Sequence, residues 1–75
     1  MKNMKGVKQA KAVEVKFDPI NGISPDGTHW ELEYNKVSKR YNLRSGADQG
    51  GDLFYSHISL TACQTKATEK EVVWN

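Results

Sequence analysis

Apolar and polar positions alternate most regularly over residues 28–43. Trp30, Leu32 and Tyr34 alternate with His29, Glu31 and Glu33, and Tyr41 and Leu43 with Arg40, Asn42 and Arg44. Successive strand side chains point to opposite faces, so this period predicts two half-buried strands joined by a turn. A four-residue loop over 35–38 sets Trp30 opposite Leu43, Leu32 opposite Tyr41 and Glu33 opposite Arg40, matching apolar with apolar and acid with base. A two-residue turn at Asn35 and Lys36 keeps the faces but brings Lys39 against Leu32, which favours the longer loop.

Residues 12–17 place Val13, Val15 and Phe17 on one face and Glu14 and Lys16 on the other, a strand pattern. Val7, Ala10, Val13 and Phe17 also fit a helical stripe, but Gly6 and the two valines weaken a helix. Residues 18–27, DPINGISPDG, hold three turn signals and predict a connection, with Ile20 and Ile23 folded back over one end of the sheet. Within it, Pro25-Asp26-Gly27 suits a tight turn, proline presetting one φ and glycine free to take a positive one. The glycine-rich residues 45–52 predict a flexible loop.

Residues 53–62 predict a long strand, with Phe54, Ser56, Ile58 and Leu60 inward and Leu53, Tyr55, His57 and Ser59 outward. Val72, Val73 and Trp74 suggest a short closing strand after a helical turn near 66–70. Thr68 and Glu71 have capping-box spacing, but only four residues follow them. The expected fold class is mainly β. It is a small single domain of four to five antiparallel strands, as a meander sheet or an SH3-like or OB-like small barrel, with a short helical turn near the C-terminus. The domain spans 12–75, and residues 1–11 form a basic, flexible arm. The expected core is Val13, Val15, Phe17, Ile20, Ile23, Trp30, Leu32, Tyr41, Leu43, Phe54, Ile58, Leu60, Val72 and Trp74. A single core in 75 residues only just offsets chain entropy, so a homodimer is expected to add support.

Charge changes the picture through its distribution. The net charge is only +2, yet residues 17–35 carry four acids and no base, while 36–44 carry four bases and no acid. Cys63 is the single cysteine, which excludes an intramolecular disulfide and suits a reducing compartment. Together with the lack of any apolar run of membrane-spanning or signal-peptide length, this predicts a cytoplasmic protein without membrane contact.

The candidate chemistry is sparse. His29, His57 and Cys63 are too scattered to predict a metal site, and no cofactor is expected. The glycine-rich loop has no lysine and runs into a strand, unlike a phosphate cradle. Ser56 and His57 are neighbours, but adjacent strand residues face opposite ways, which disfavours a nucleophile–base pair. Glu31 and Glu33 share one exposed face about 7 Å apart, where cross-strand pairing is the simpler role.

No enzyme is predicted. If residues 45–52 close a hairpin, His29, Arg40, Arg44, Tyr55 and His57 collect on the outer face, and tyrosine and arginine are enriched at interfaces. The expectation is a small binding protein acting on an unidentified protein partner: an accessory protein, adaptor or inhibitor of the kind common in viruses and mobile elements. The alternative is nucleic-acid binding through Lys36, Lys39, Arg40 and Arg44 with the N-terminal lysines, a reading weakened by Glu31 and Glu33 as counter-charges.

Overall fold

The computed structural model describes residues 15–75. Its elements are β1 (Ile20–Ile23), β2 (His29–Asn35), β3 (Arg40–Ser45), β4 (Asp52–His57), α1 (Leu60–Glu69) and β5 (Val73–Trp74). The five strands form one open antiparallel sheet in the order β4-β3-β2-β1-β5. The mainly β class is as expected, in its meander form. β1 to β4 follow one another across the sheet, and α1 then crosses one face to bring β5 alongside β1.

The β2–β3 hairpin keeps the predicted faces in a different register. Leu32 pairs with Leu43, Tyr34 with Tyr41 and Asn35 with Arg40, and the turn is 36–39. The shift is two residues, and an even shift leaves every side chain on its face. Asn35 sets the turn: its Oδ1 accepts from the backbone N–H groups of Val37 and Ser38, both at 2.9 Å, and its carbonyl accepts from Lys39 at 2.7 Å. Lys39 takes a positive φ of 59° to close the turn. In exchange the apolar face gains a Leu–Leu pair and a Tyr34–Tyr41 contact, with ring centroids 4.8 Å apart.

Where a connection was expected, Ile20–Ile23 forms a strand between β2 and β5. Its Asn21-Gly22 pair is extended rather than turning, because glycine serves here for space. A Cβ on Gly22 would lie 2.6 Å from the Val73 carbonyl oxygen, 2.7 Å from Val72 Cγ1 and 2.9 Å from the Trp74 ring. Only Pro25-Asp26-Gly27 reverses the chain. Gly27 N–H donates to the Ser24 carbonyl (2.9 Å), and Gly27 adopts φ 88°. Asp26 Oδ1 accepts from Ser24 Oγ (2.6 Å) and Thr28 N–H (3.0 Å), while Ser24 Oγ accepts from the buried Trp30 Nε1–H (2.9 Å).

The strand expected over 12–17 is not formed at residues 15–17, which have no regular structure; 12–14 and the arm at 1–11 lie outside the described residues. Phe17 instead anchors this segment by packing edge-on against Tyr41, centroids 5.3 Å apart.

The long strand expected over 53–62 stops at His57. Ser59 N-caps α1, its Oγ accepting from Ala62 N–H at 3.4 Å, and Ser59 N–H donates to His57 Nδ1 at 2.9 Å. Leu60, Cys63 and Ala67 then follow helical spacing and pack beneath β3 and β4. Thr68 and Glu71 close this helix rather than open one. Glu71, at φ 60°, donates its N–H to the Thr68 carbonyl (2.9 Å), and Val72 N–H reaches the Ala67 carbonyl (3.2 Å).

Trp30, Leu32, Leu43, Cys63 and Ala67 are buried, with Phe17, Ile20, Tyr41, Tyr55, Leu60, Val72 and Trp74 packed around them. Leu32 and Leu43 each contribute about 1.5–3 kcal/mol as fully buried side chains. Val15, Ile23, Phe54 and Ile58, expected inside, are exposed, and Val13 lies outside the described residues. Cys63 and Ala67 take their place because α1 covers the sheet.

Gly22→Ala should lower unfolding stability by about 2–3 kcal/mol, since the methyl meets backbone as well as side chains; denaturant titration measures it. Hydrogen bonds from Ser24 and Thr28 hold the Asp26 carboxyl down from 3.8 to about 2. The unfolded chain therefore takes up this proton first, so the contribution is complete above 3.8 and is lost as pH falls through about 2. Asp26→Asn should flatten the acid limb of a urea-midpoint profile relative to the unmodified chain; parallel profiles would exclude this role.

Candidate functional site

Among the described residues, α1 covers one face of the sheet and no element covers the other. Strand pairing orders the open face in rows. Val73, Ile23 and His29 form the first, Asn21, Glu31, Arg44 and Leu53 the second, Glu33, Asn42 and Ser56 the third, and Asn35 and Arg40 the last.

Glu33 is the hub of this face. Its Oε2 accepts from Arg44 Nε at 3.0 Å and from Asn42 Nδ2 at 3.3 Å, and Arg44 Nη1 also reaches the Gly51 carbonyl at 3.5 Å. The register predicted from sequence gave Glu33 to Arg40. The observed one puts Asn42 opposite Glu33, Arg44 diagonal to it, and Arg40 beside β4. Arg40 there donates from Nε to Ser56 Oγ (2.9 Å) and from Nη2 to the Ser56 carbonyl (3.0 Å). The Glu33–Arg44 pair is about a third exposed and contributes at most about 1 kcal/mol, so it orders the surface more than it stabilises the fold.

Of the predicted partner-binding residues, His29, Arg40 and Arg44 lie on the open face, and Tyr55 and His57 on the helix-covered one. Tyr55 pairs with Leu43 and His57 with Tyr41, and the two rings stack at 6.2 Å. The outer cluster of five is therefore not assembled. The cause is a β-bulge: Leu43 opposes Tyr55 and Arg44 opposes Leu53, which leaves Phe54 without a partner. One extra residue inverts the alternation beyond it, so Leu53 and Phe54 keep their predicted sides while Tyr55, Ser56 and His57 exchange theirs. Phe54 turns edge-on to Trp30, centroids 5.1 Å apart.

The nucleic-acid candidates divide as well. Lys36 and Lys39 sit in the hairpin turn with Arg40 at its foot, whereas Arg44 is further along β3 and committed to Glu33. Val15, Lys16 and Phe17 share a concavity of about 330 Å³ with Tyr34 and Lys36 at this end. At the other end, Asp26, Thr28, His29, Gly46, Asp48 and Gln49 border a shallow concavity of about 300 Å³, with His29 Nε2 4.0 Å from Asp48.

The groups with catalytic potential have structural tasks. Ser56 Oγ is engaged by Arg40, and His57 Nδ1 holds the first turn of α1. Cys63 is fully buried, and its thiol donates to the Tyr41 carbonyl at 3.4 Å. Burial pushes its pKa up, against smaller opposing effects of the His57 backbone and Arg40. Among the described residues no three His, Cys, Asp or Glu side chains converge as a metal site would require.

Two cations escaped the sequence pattern. Lys66 and Lys70 place Nζ 4.9 Å from the Tyr55 ring centroid and 5.4 Å from that of Phe54. Their spacing of four was visible in the sequence, but it acquires meaning only once 60–69 is a helix.

Compared with protein-family models, curated proteins and solved structures, the chain matches none. No helix of the described residues is long and apolar enough to cross a membrane.

Cys63 should react with a disulfide reagent only through opening of α1. Its labelling should be slow in buffer and accelerate with urea in parallel with unfolding; fast labelling of the folded chain would contradict its burial.

Proposed function

We propose that this protein is a small, non-catalytic binding protein whose open sheet face engages a protein partner. The observation that carries this reading is how that face is composed. Its charged centre is hydrogen-bonded internally through Glu33, Arg44 and Asn42, and exposed Ile23, Val73 and Leu53 flank it. A preordered polar centre loses little side-chain entropy on docking, and the apolar flanks supply the surface that leaves water. His29 and Arg40 are the polar side chains beside this centre that such a partner would meet, while Arg44 holds the centre in place through Glu33.

The test is capture of a partner by the full chain from its native host, followed by variants. Ile23→Glu and Leu53→Glu should each release it with the fold intact, while Val37→Glu, at the hairpin tip and away from the face, should not. Retention of the partner by Ile23→Glu, the variant away from β4, would overturn the reading.

A second reading has its own support: Lys36, Lys39 and Arg40 are grouped at the hairpin end, which suits a nucleic-acid backbone. It predicts that Lys39→Ala and Arg40→Ala weaken oligonucleotide binding and flatten its salt dependence. Arg44→Ala should do neither, because Arg44 already serves Glu33. Absence of oligonucleotide binding at low salt would remove this reading.

A further inference from the structure

Among the described residues β4 is the longer free edge of the sheet. It has six residues with β3 on one side only, against two residues in β5 at the opposite edge. An edge strand directs alternate backbone N–H and C=O groups outward, which makes it a template for another strand.

Cations flank this edge on both faces. On the helix-covered side Lys66 and Lys70 lie over Tyr55 and Phe54, and on the open side Arg40 lies against Ser56. Of these three cations only Lys66 has a carboxylate within ion-pair distance among the described residues, Glu69 at 3.7 Å. An exposed apolar group lies on each face beside the bulge, Leu53 (55% exposed) on the open side and Phe54 (40%) on the helix-covered side.

We propose that the β4 edge takes up an extended acidic segment of a partner protein as a sixth strand. Its carboxylates would meet Lys66 and Lys70 on one face and Arg40 on the other. This rests on the protein-binding reading and moves the decisive contact from the open face to its margin. Backbone chemistry selects a peptide over a nucleic acid, since an edge strand offers donors and acceptors in alternation whereas a phosphodiester backbone only accepts. Charge selects against a second copy of this chain, because pairing two β4 edges brings the same cations together.

The probe is a synthetic end-capped peptide of alternating Glu and Val, added to the isotope-labelled full chain and followed by amide hydrogen exchange. Binding should slow exchange at β4 and leave β1 unchanged. Lys70→Glu should weaken it about fivefold to tenfold, and Leu53→Glu, a new acid at an exposed position of β4, should weaken it without reversing a native charge. A peptide N-methylated at every residue, which has no N–H on either edge, should not bind.

Equal binding of the N-methylated peptide, or of a Lys-Val peptide, would overturn the proposal. So would protection of β4 that rises with protein concentration alone, since the occupant would then be a second copy. Partner capture that depends on Ile23, with no response of β4 to the peptide, overturns the edge and leaves the open-face reading standing. A β4 response with capture insensitive to Ile23 overturns the open-face reading and supports the edge as the docking site.

Discussion

The Trp30 side chain is where the separate parts of this fold meet. It is 4% exposed, in the row that Gly22 and Ser45 complete on either side, and it receives Phe54 edge-on from the far strand. An aromatic ring of this size contributes about 2–3 kcal/mol on burial, but its indole N–H would cost about 1–3 kcal/mol if left unpaired. Ser24 supplies the partner, and Asp26 orients Ser24. A core residue thereby ties down the β1–β2 turn. In the same row Gly22 has no side chain, which lets Trp74 and the last strand close over β1. The two ends of the sheet therefore depend on one row of side chains.

Parity is the second constraint, and it governs the surface. An even shift in the β2–β3 register changed every cross-strand partner and no face, whereas one bulged residue in β4 moved Tyr55 and His57 from the open side to the helix side. The same two events redistribute the charges. Arg44 is neutralised by Glu33, Arg40 is turned toward β4, and Lys66 and Lys70 rise over the aromatic residues of that strand. Basic character thus gathers at the β4 margin and the hairpin end rather than across the sheet. The polar centre of the open face serves as its scaffold.

The sequence by itself determined the β class, the Trp30–Leu43 hairpin with its inward and outward faces, the Pro25-Asp26-Gly27 turn and the short closing strand. Each is written in local chemistry: a period of two, a proline beside a glycine, a run of β-branched and aromatic residues. Only the tertiary structure decided the rest. Asn-Gly reads locally as a turn, yet it lies mid-strand because Trp74, some fifty residues away, needs the space. Residues 58–62 alternate well enough for a strand, yet Ser59 caps a helix because Cys63 and Ala67 fill the space under β3 and β4. Register and bulge are chosen by differences of about 1 kcal/mol among competing cross-strand pairs. Such differences are sums over contacts distant in the chain, so no local pattern records them, and the placement of Tyr55, His57 and Arg40 became legible only when those contacts were made.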